Sequence, residues 1–428
     1  MVDLTGGQDA SFTNVDISGS LILNNIDISG KLLEIDDSLV NLASSGGTIT
    51  ELLDLIPNEA NSSAIINQIA NIFKEPWWLT YNNVFRYSPA GAGGWNNSYG
   101  AGVLTNTGRI VFIPYEATYF TSYNLDTHFF VPAAGPGGFT RVSFGRPYFR
   151  GGVLAPNGKV ICIPHSSPYV GIFDPNVRAY GDYYGSYTNG VAHGKGDFAY
   201  STGLLAQNGK IIFFPFGGSN IGIYDPSNDT LIDSSAVPDT PWHGSAAAVL
   251  LLNGKMITIP GGSNHNLGIY DPEADTWTRG PSLGQGDNAY SNGVLAPNGN
   301  VILIPAQQNR IGIYDPYDTS IGKFTLGAVI TDPDPGGARY SSGVLAPNGK
   351  IIFVPYNAVH IGIYDPETDI FENGPYIGTG PQGASRHFGA GVLAPTGEII
   401  FVPHINGIGI YGNNFPLNYK NDLLAPYF

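Results

Sequence analysis

One motif, repeated seven times, constrains the fold of this chain more than any other feature of its sequence. Each copy has a small-residue segment with a leucine, a tight turn with a glycine, and an apolar segment that ends in proline, as in residues 343–355, GVLAPNGKIIFVP. The turn glycines recur at intervals of 45 to 51 residues, at Gly108, Gly158, Gly209, Gly254, Gly299, Gly349 and Gly397. A period of this length indicates seven copies of one supersecondary unit.

Each copy predicts a four-stranded antiparallel sheet. The Asn-Gly pair of the turn suits a two-residue hairpin, because both residues tolerate the positive φ angles that such a turn needs. A third strand follows as Ile-Gly-Ile-Tyr-Asp-Pro, with its tyrosine at Tyr224, Tyr270, Tyr314 and Tyr364. A shorter fourth strand is clearest at residues 276–278.

Seven such sheets can bury their faces in a closed ring or in a linear stack. A stack needs polar capping repeats at its ends, whereas the first and last copies here are as apolar as the others. The small residues of strand one suit the crowded axis of a ring, and they are Gly102, Gly152, Gly203, Ala248, Gly293, Gly343 and Gly391. The predicted fold class is therefore all-β, a seven-bladed propeller of four-stranded blades.

The fourth copy, residues 254–283, resembles a kelch repeat. It has a glycine pair at 261–262, a Tyr-Asp-Pro turn that begins at Tyr270, and Trp277 in the fourth strand. Most other copies lack the glycine pair, and the tryptophan occurs only once. The resemblance covers roughly residues 77–428 and implies a propeller, but kelch-type propellers include both binding scaffolds and oxidases, so it leaves the function open.

The N-terminal residues differ in character from the repeats. Residues 14–19 and 25–30 form a short tandem, NVDISG and NIDISG, which resembles the shaft repeats of virus and bacteriophage fibre proteins, where three chains wind together. We therefore assign residues 1–48 to a shaft-like trimerisation segment, 49–75 to a short helical neck and 76–428 to the propeller head. The apolar stripe of the neck either closes a trimeric bundle or packs under the propeller.

A strand from one end of the chain must complete the last blade of a closed ring. The spacing of Trp77-Trp78-Leu79-Thr80 before the first repeat predicts that this N-terminal segment closes the ring. Phe415–Asn418, which follows the last repeat at a comparable distance, is the alternative.

Charge and composition exclude several classes of function. The chain has 34 acidic and 19 basic residues, a net charge near −15, and no basic cluster, so neither nucleic acid nor membrane insertion is expected. No signal peptide and no membrane span is expected either. The one cysteine, Cys162, aligns with apolar core positions of the other copies, so we expect a buried thiol rather than part of an oxidase copper site.

No known catalytic motif is present, and the sequence favours a protein that is not an enzyme. Cofactors are not expected. Two alternatives stay open: a metal site formed by His165, His387 and His404, and calcium at the Asp-Pro turns, through pairs such as Asp225 with Asp229 and Asp271 with Asp275. Ordinary type I turn chemistry also explains the Asp-Pro sequences.

The loops before strand one and after strand two diverge among the copies and share one face of the propeller. This rim carries aromatic and hydrogen-bonding residues: Trp95, Asn97, Tyr99, Arg146, Tyr148, Arg150, His165, Tyr200, Trp242, His243, Tyr290, Arg339, Tyr340, Tyr356, Arg386, His387 and His404. Aromatic faces stack on sugar rings while amides and guanidinium groups bind hydroxyls, so the mixture favours carbohydrate. The alternative is that the aromatic residues only seal the ends of the blades.

The sequence as a whole favours the receptor-binding head of a homotrimeric viral or phage fibre or spike. It would lie on the virion surface or outside the cell and bind a host-surface glycan or protein through one rim. The alternatives are a carbohydrate-active or oxidase-type propeller enzyme and a kelch-type scaffold that binds a protein partner.

Overall fold

The computed structural model describes residues 84–88 and 99–412, the latter with several internal gaps, and the four residues 22–23 and 26–27. The described residues contain seven four-stranded antiparallel sheets and no helix, so the predicted all-β seven-bladed propeller is confirmed. In this part of the chain no helix is long and apolar enough to cross a bilayer.

The blades, numbered 1 to 7 along the chain, share one strand order. Strand one spans Tyr99–Leu104, Phe149–Leu154, Tyr200–Leu205, Ser245–Leu250, Tyr290–Leu295, Tyr340–Leu345 and Phe388–Leu393. Strand two spans Arg109–Pro114, Val160–Pro164, Ile211–Pro215, Met256–Pro260, Val301–Pro305, Ile351–Pro355 and Ile399–Pro403. Strand three spans Thr121–Asn124, Tyr169–Arg178, Gly222–Asp225, Asn266–Asp271, Arg310–Asp315, His360–Asp365 and Gly409–Tyr411. Strand four of blades 1 to 6 spans Phe130–Pro132, Tyr184–Ala192, Thr230–Asp233, Thr276–Ser282, Lys323–Val329 and Ile370–Tyr376.

Strand one lines the propeller axis. The first strands of neighbouring blades contact one another all the way round, including blade 7 with blade 1. A Cβ on Gly203 would lie 2.5 Å from Ile163 Cδ1 of blade 2, and a Cβ on Gly343 would lie 2.6 Å from Ile304 Cδ1 of blade 5. The small residues of strand one are therefore required by side chains of the preceding blade, as the sequence predicted.

The hydrophobic core is divided among the interfaces between blades. The residues of strand two from its second position onward are buried in every blade, because both faces of this strand contact a neighbouring sheet. Seven clusters of buried residues lie between successive blades, and one of them joins Phe112 of blade 1 to Ile400 of blade 7. An open array of seven blades would have six such interfaces, so the seventh shows that the ring is closed.

The turn between strands one and two differs from the predicted two-residue hairpin. In blade 6, Gly349 N donates to Ala346 O at 2.9 Å, and Ala346 N donates to Lys350 O at 2.8 Å. Gly349 has a φ of 78°, whereas Asn348 is not among the residues with positive φ. This is a type I turn followed by a left-handed glycine, because Pro347 fixes a negative φ at the first central position and excludes the predicted turn.

The N-terminal side of the chain closes the ring. A latch strand, Phe85–Tyr87, pairs antiparallel with Gly409–Tyr411 and forms strand four of blade 7. The sequence correctly predicted that the N-terminal side of the chain supplies the closing strand. It was wrong about the residues, since the latch strand lies after the predicted Trp77-Trp78-Leu79-Thr80. The alternative, Phe415–Asn418, lies outside the described residues.

The N-terminal segment is described only at one short hairpin, in which Ile22–Leu23 pairs with Ile26–Asp27. The propeller belongs to a separate compact unit, Ile66–Leu417. The predicted helical neck, residues 49–75, lies outside the described residues. Its boundaries, those of the shaft, and the homotrimer stay predictions.

Candidate functional site

The residue that directly follows the strand-two proline marks the mouth of the propeller axis. We call these seven positions the post-proline ring: Tyr115, His165, Phe216, Gly261, Ala306, Tyr356 and His404. Five blades place an aromatic or imidazole ring there, and the adjacent blades 4 and 5 place only Gly and Ala. The ring therefore has large side chains on one side and small, buried residues on the other.

Side chains of blades 6, 7 and 1 form one continuous aromatic group. The rings of Tyr356 and His404 meet edge to face, with centroids 5.4 Å apart, and the rings of Tyr115 and His404 are 6.3 Å apart. All three side chains are half-buried, so part of each ring stays accessible. Such edge-to-face contacts hold the rings in fixed positions.

Blades 2 and 3 form a second aromatic group around His165. Its imidazole lies 5.1 Å from the rings of both Phe198 and Phe216. Burial lowers the pKa of His165 to about 4, even though a hydrogen bond to Tyr200 O raises it. The imidazole is therefore neutral at pH 7, and its Nδ1 donates to Tyr200 O at 2.8 Å because a carbonyl can only accept. Nε2 is then left as an acceptor.

Arg150 connects the two aromatic groups. It is the second residue of strand one in blade 2, at a β-bulge between Phe149 and Gly151. Its Cζ lies 4.8 Å from the centroid of Phe216 in blade 3, a cation–π contact. Burial lowers the pKa of Arg150, and the charges of Tyr115 of blade 1 and Tyr356 of blade 6 oppose this effect.

A second cation, Arg386, stands before strand one of blade 7 with an exposed side chain. Burial and the charge of Arg386 lower the pKa of His404 to about 4, so this imidazole is also neutral. Arg386 has a φ of 85°, and Phe198 and Asn288, at the same position of blades 3 and 5, have φ values of 61° and 50°. A left-handed residue is therefore a recurring feature of the turn before strand one. We call Arg150, Arg386, Phe198 and the five bulky residues of the post-proline ring the axial cluster.

The structure separates the predicted rim residues into distinct groups. Tyr99, Tyr200, Tyr290 and Tyr340 are at most 2% exposed, and each begins strand one of its blade. The ring of Tyr200 covers strand three of its own blade, where a Cβ on Gly222 would lie 2.7 Å from its Oη. These four tyrosines occupy the sealing position that the sequence left open as an alternative.

The remaining predicted residues differ in accessibility. His165 and His387 are each 1% exposed, whereas Tyr148, Tyr356 and His404 are half-buried. Trp95, Asn97, Arg146, Trp242 and His243 lie outside the described residues. The residues brought together at the axis are thus His165, Tyr356 and His404 with the two arginines, and ligand binding by the rim stays a prediction.

Sequence reasoning missed three members of the axial cluster, Tyr115, Phe198 and Phe216. For Tyr115 and Phe216 a signal was available, because the position after the strand-two proline can be read from the aligned copies. For Phe198 there was no comparable signal, since nothing in a single sequence reports a left-handed backbone at a phenylalanine.

The aspartates considered for calcium have protein donors. Asp225 accepts from Ser227 N at 2.9 Å and Asp271 accepts from Glu273 N at 3.1 Å, the hydrogen bonds of an ordinary turn. Among the described residues, no group of three or more His, Cys, Asp and Glu side chains is arranged to hold a metal ion. Calcium binding and the histidine metal site stay open as alternatives.

The second aspartate of each pair links neighbouring blades. Asp275 of blade 4 accepts from Tyr270 Oη of its own blade at 2.8 Å and from Ser235 N, which follows strand four of blade 3, at 2.9 Å. The Ser234 hydroxyl also donates to Asp275. Burial would raise the pKa of Asp275, but hydrogen bonds from both serines and Tyr270 outweigh it and lower the pKa to about 2. Asp229 and Asp369 make equivalent contacts to Val191 N and Ala328 N.

Cys162 is fully buried in the interface between blades 1 and 2, as predicted. Burial raises the pKa of its thiol. The thiol is therefore a small apolar side chain of the core rather than a reactive group.

Comparison with known proteins establishes the fold and not the family. No family model and no curated protein matches the chain. A streptogramin B lyase structure is 15% identical to this chain, with a TM-score of 0.61. The alignment covers 77% of this chain and 98% of the lyase chain. A catalytically inactive histidine-to-alanine variant of virginiamycin B lyase from Staphylococcus aureus, with quinupristin, is 14% identical with a TM-score of 0.60, covering 77% and 100%. A fungal alcohol oxidase of the AA5 family with copper is 15% identical, with a TM-score of 0.56 and coverage of 78% and 76%.

Proposed function

We propose that the propeller is the receptor-binding head of a viral or phage fibre or spike, and that it binds a host-surface glycan at the mouth of its axis. The observation that carries this proposal is the axial cluster, in which accessible aromatic rings surround a cation that has no carboxylate partner among the described residues. Cores are built from buried rings, but half-exposed rings held beside polar groups at one face suit ligand binding.

Carbohydrate fits this face better than a small apolar ligand. The phenol groups of Tyr115 and Tyr356 offer hydroxyls as well as ring faces, and the neutral imidazole of His404 adds another polar group beside them. A shallow site of this kind gives modest affinity. The shaft-like tandem of residues 14–30 supports a trimer, in which three such sites gain avidity through their effective concentration.

Binding of the full-length protein to host cells and to a glycan array tests the proposal. Replacing Tyr356 or Tyr115 by Ala should weaken binding by about 1 kcal/mol each, because a stacking face is lost, while the melting temperature changes little. Tyr317→Ala is the matched control, since Tyr317 is 51% exposed but lies on blade 5 away from the axis. Equal binding by all three variants and the parent protein would contradict the proposal.

The oligomeric state tests the fibre part of the proposal separately. Light scattering should give three chains for the full-length protein and one chain for a protein that begins just before the latch strand. A monomeric full-length protein would contradict the fibre assignment but leave glycan binding by a single head unaffected.

An enzyme is the second candidate, favoured by the neutral, half-buried imidazole of His404 and the charge of Arg386, which acts on it. This pairing provides a proton acceptor next to an anion-binding group. Release of reducing sugar ends from host polysaccharide, abolished by His404→Ala, would identify this activity. Intact polysaccharide after prolonged incubation would exclude it for that substrate.

A further inference from the structure

The axial cluster has an electrostatic character opposite to that of the whole chain. The net charge is near −15, yet two arginines, Arg150 and Arg386, belong to this cluster. Arg150 Cζ lies 4.8 Å from the ring centroid of Phe216, and Arg386 N donates to Tyr356 O at 2.8 Å. Burial raises the pKa of Tyr356, and the charges of Arg386 and Arg150 oppose this effect. A local positive field in an acidic protein selects for anions.

Neither arginine is neutralised by the described protein. The two nearby carboxylates are Glu116, which acts on Tyr356, and Asp197, which acts on His165. No ion pair joins either of them to Arg150 or Arg386 among the described residues. A half-buried cation without a counter-ion is costly, and this cost is relieved when an anion binds.

The chemistry of the Arg150 guanidinium specifies the kind of anion that it binds. Its Cζ lies 4.8 Å from the ring centroid of Phe216. The N–H donors of a guanidinium form a planar fork, which suits an acceptor that can take two parallel hydrogen bonds, as a carboxylate does. A lysine at the same place would supply charge without this fork.

We propose that the axial cluster binds a sugar residue that bears a carboxylate, with the carboxylate on Arg150 and Arg386 and the sugar ring against the half-buried aromatic side chains. The proposal rests on the proposed glycan-binding function and specifies its ligand as an acidic glycan. Uronic acids and sialic acids share this chemistry, and the test distinguishes them.

Titration calorimetry of the full-length protein with three oligosaccharides tests the proposal. The probes end in glucuronic acid, in sialic acid, or in neutral galactose. We expect at least one acidic probe to bind about tenfold or more tightly than the neutral probe, and added salt should weaken its binding. Preference between the two acidic probes identifies the source of the carboxylate.

Three variants locate the binding site. Arg150→Gln should lose the preference for the acidic probe, with affinity reduced about tenfold or more, whereas Arg150→Lys should lose only part of it. Lys210→Gln removes the same charge at the opposite face, next to the turn glycine Gly209, and should bind normally. Melting temperatures close to that of the parent protein show that each variant is folded.

Each outcome is decisive. Equal affinity for acidic and neutral probes, or normal acid preference in Arg150→Gln, would overturn the proposed carboxylate site while glycan binding stands. Failure of all three probes to bind, while host cells are still bound, would overturn the carboxylate site and point to a protein receptor. Failure to bind cells as well would refute the proposed function itself.

Discussion

The ion pair between Arg86 and Glu398 should hold the propeller ring closed. Arg86 lies in the latch strand, and its guanidinium contacts the carboxylate of Glu398, which directly precedes strand two of blade 7. The side chain of Glu398 is 1% exposed and that of Arg86 is 39% exposed. Removing Arg86 leaves a buried carboxylate with only the hydroxyl of Thr396, at 3.3 Å, as a side-chain donor among the described residues.

The magnitude follows from this asymmetric burial. Breaking a fully buried pair costs about 3–5 kcal/mol because one charge is left uncompensated. Water reaches the Arg86 side of this pair, which screens it, so Arg86→Ala should lower the free energy of unfolding by about 2–3 kcal/mol. Glu398→Gln should cost less, because it removes the buried charge.

Urea unfolding followed by circular dichroism, in a double-mutant cycle of Arg86→Ala with Glu398→Gln, measures the coupling. Lys159→Ala is the matched control. Lys159 of blade 2 holds the same repeat position as Glu398 and pairs with Asp174 at 4.0 Å on the surface, so its loss should cost about 0.5 kcal/mol or less. If Arg86→Ala costs no more than Lys159→Ala, or if the two single changes at the latch are additive, the ion pair does not hold the ring closed.

The same structure gives two further predictions. Deleting residues 1–83 should leave the head folded, whereas deleting 1–88 removes the latch strand and exposes the edge of blade 7, which thermal unfolding and limited proteolysis would detect. Asp275→Ala should lower the free energy of unfolding by about 1–3 kcal/mol, with exposed Asp318→Ala as control, because the hydrogen bond from Ser235 N of blade 3 and the bond from Tyr270 Oη within blade 4 are both lost. In the folded protein the pKa of Asp275 is about 2, below its ordinary value. Its contribution to the free energy of unfolding is therefore complete above about pH 4 and is lost as the pH falls towards about 2. The urea midpoints of the parent protein and the variant should converge across that pH range.

Much of the fold can be predicted from the sequence because the repeats report it locally. A turn glycine, an apolar strand and a small-residue strand recur at one spacing, and each copy states the same preference. The count of blades, the strand order and the buried strand two follow from this repetition. The type I turn was predictable as well, since Pro347 excludes the turn that Asn-Gly alone suggests.

The candidate site was only partly predictable. Its histidines and arginines stood out as polar residues in divergent loops, and the post-proline position could have added Tyr115 and Phe216. The burial of each side chain was harder to predict, because the sequence assigned both Tyr148 and Tyr200 to the rim, yet Tyr148 is half-buried and Tyr200 covers strand three of its blade.

The sequence by itself determined the repeating unit, because hydrophobic periodicity and turn chemistry act over a few residues. Only the tertiary structure decided which segment closes the ring and which side chains meet at the axis. The guanidinium of Arg86 and the carboxylate of Glu398 are 312 residues apart in the chain, and Arg150 interacts with residues of blades 1, 3 and 6. Such contacts depend on the circular arrangement of all seven blades, which no single repeat encodes.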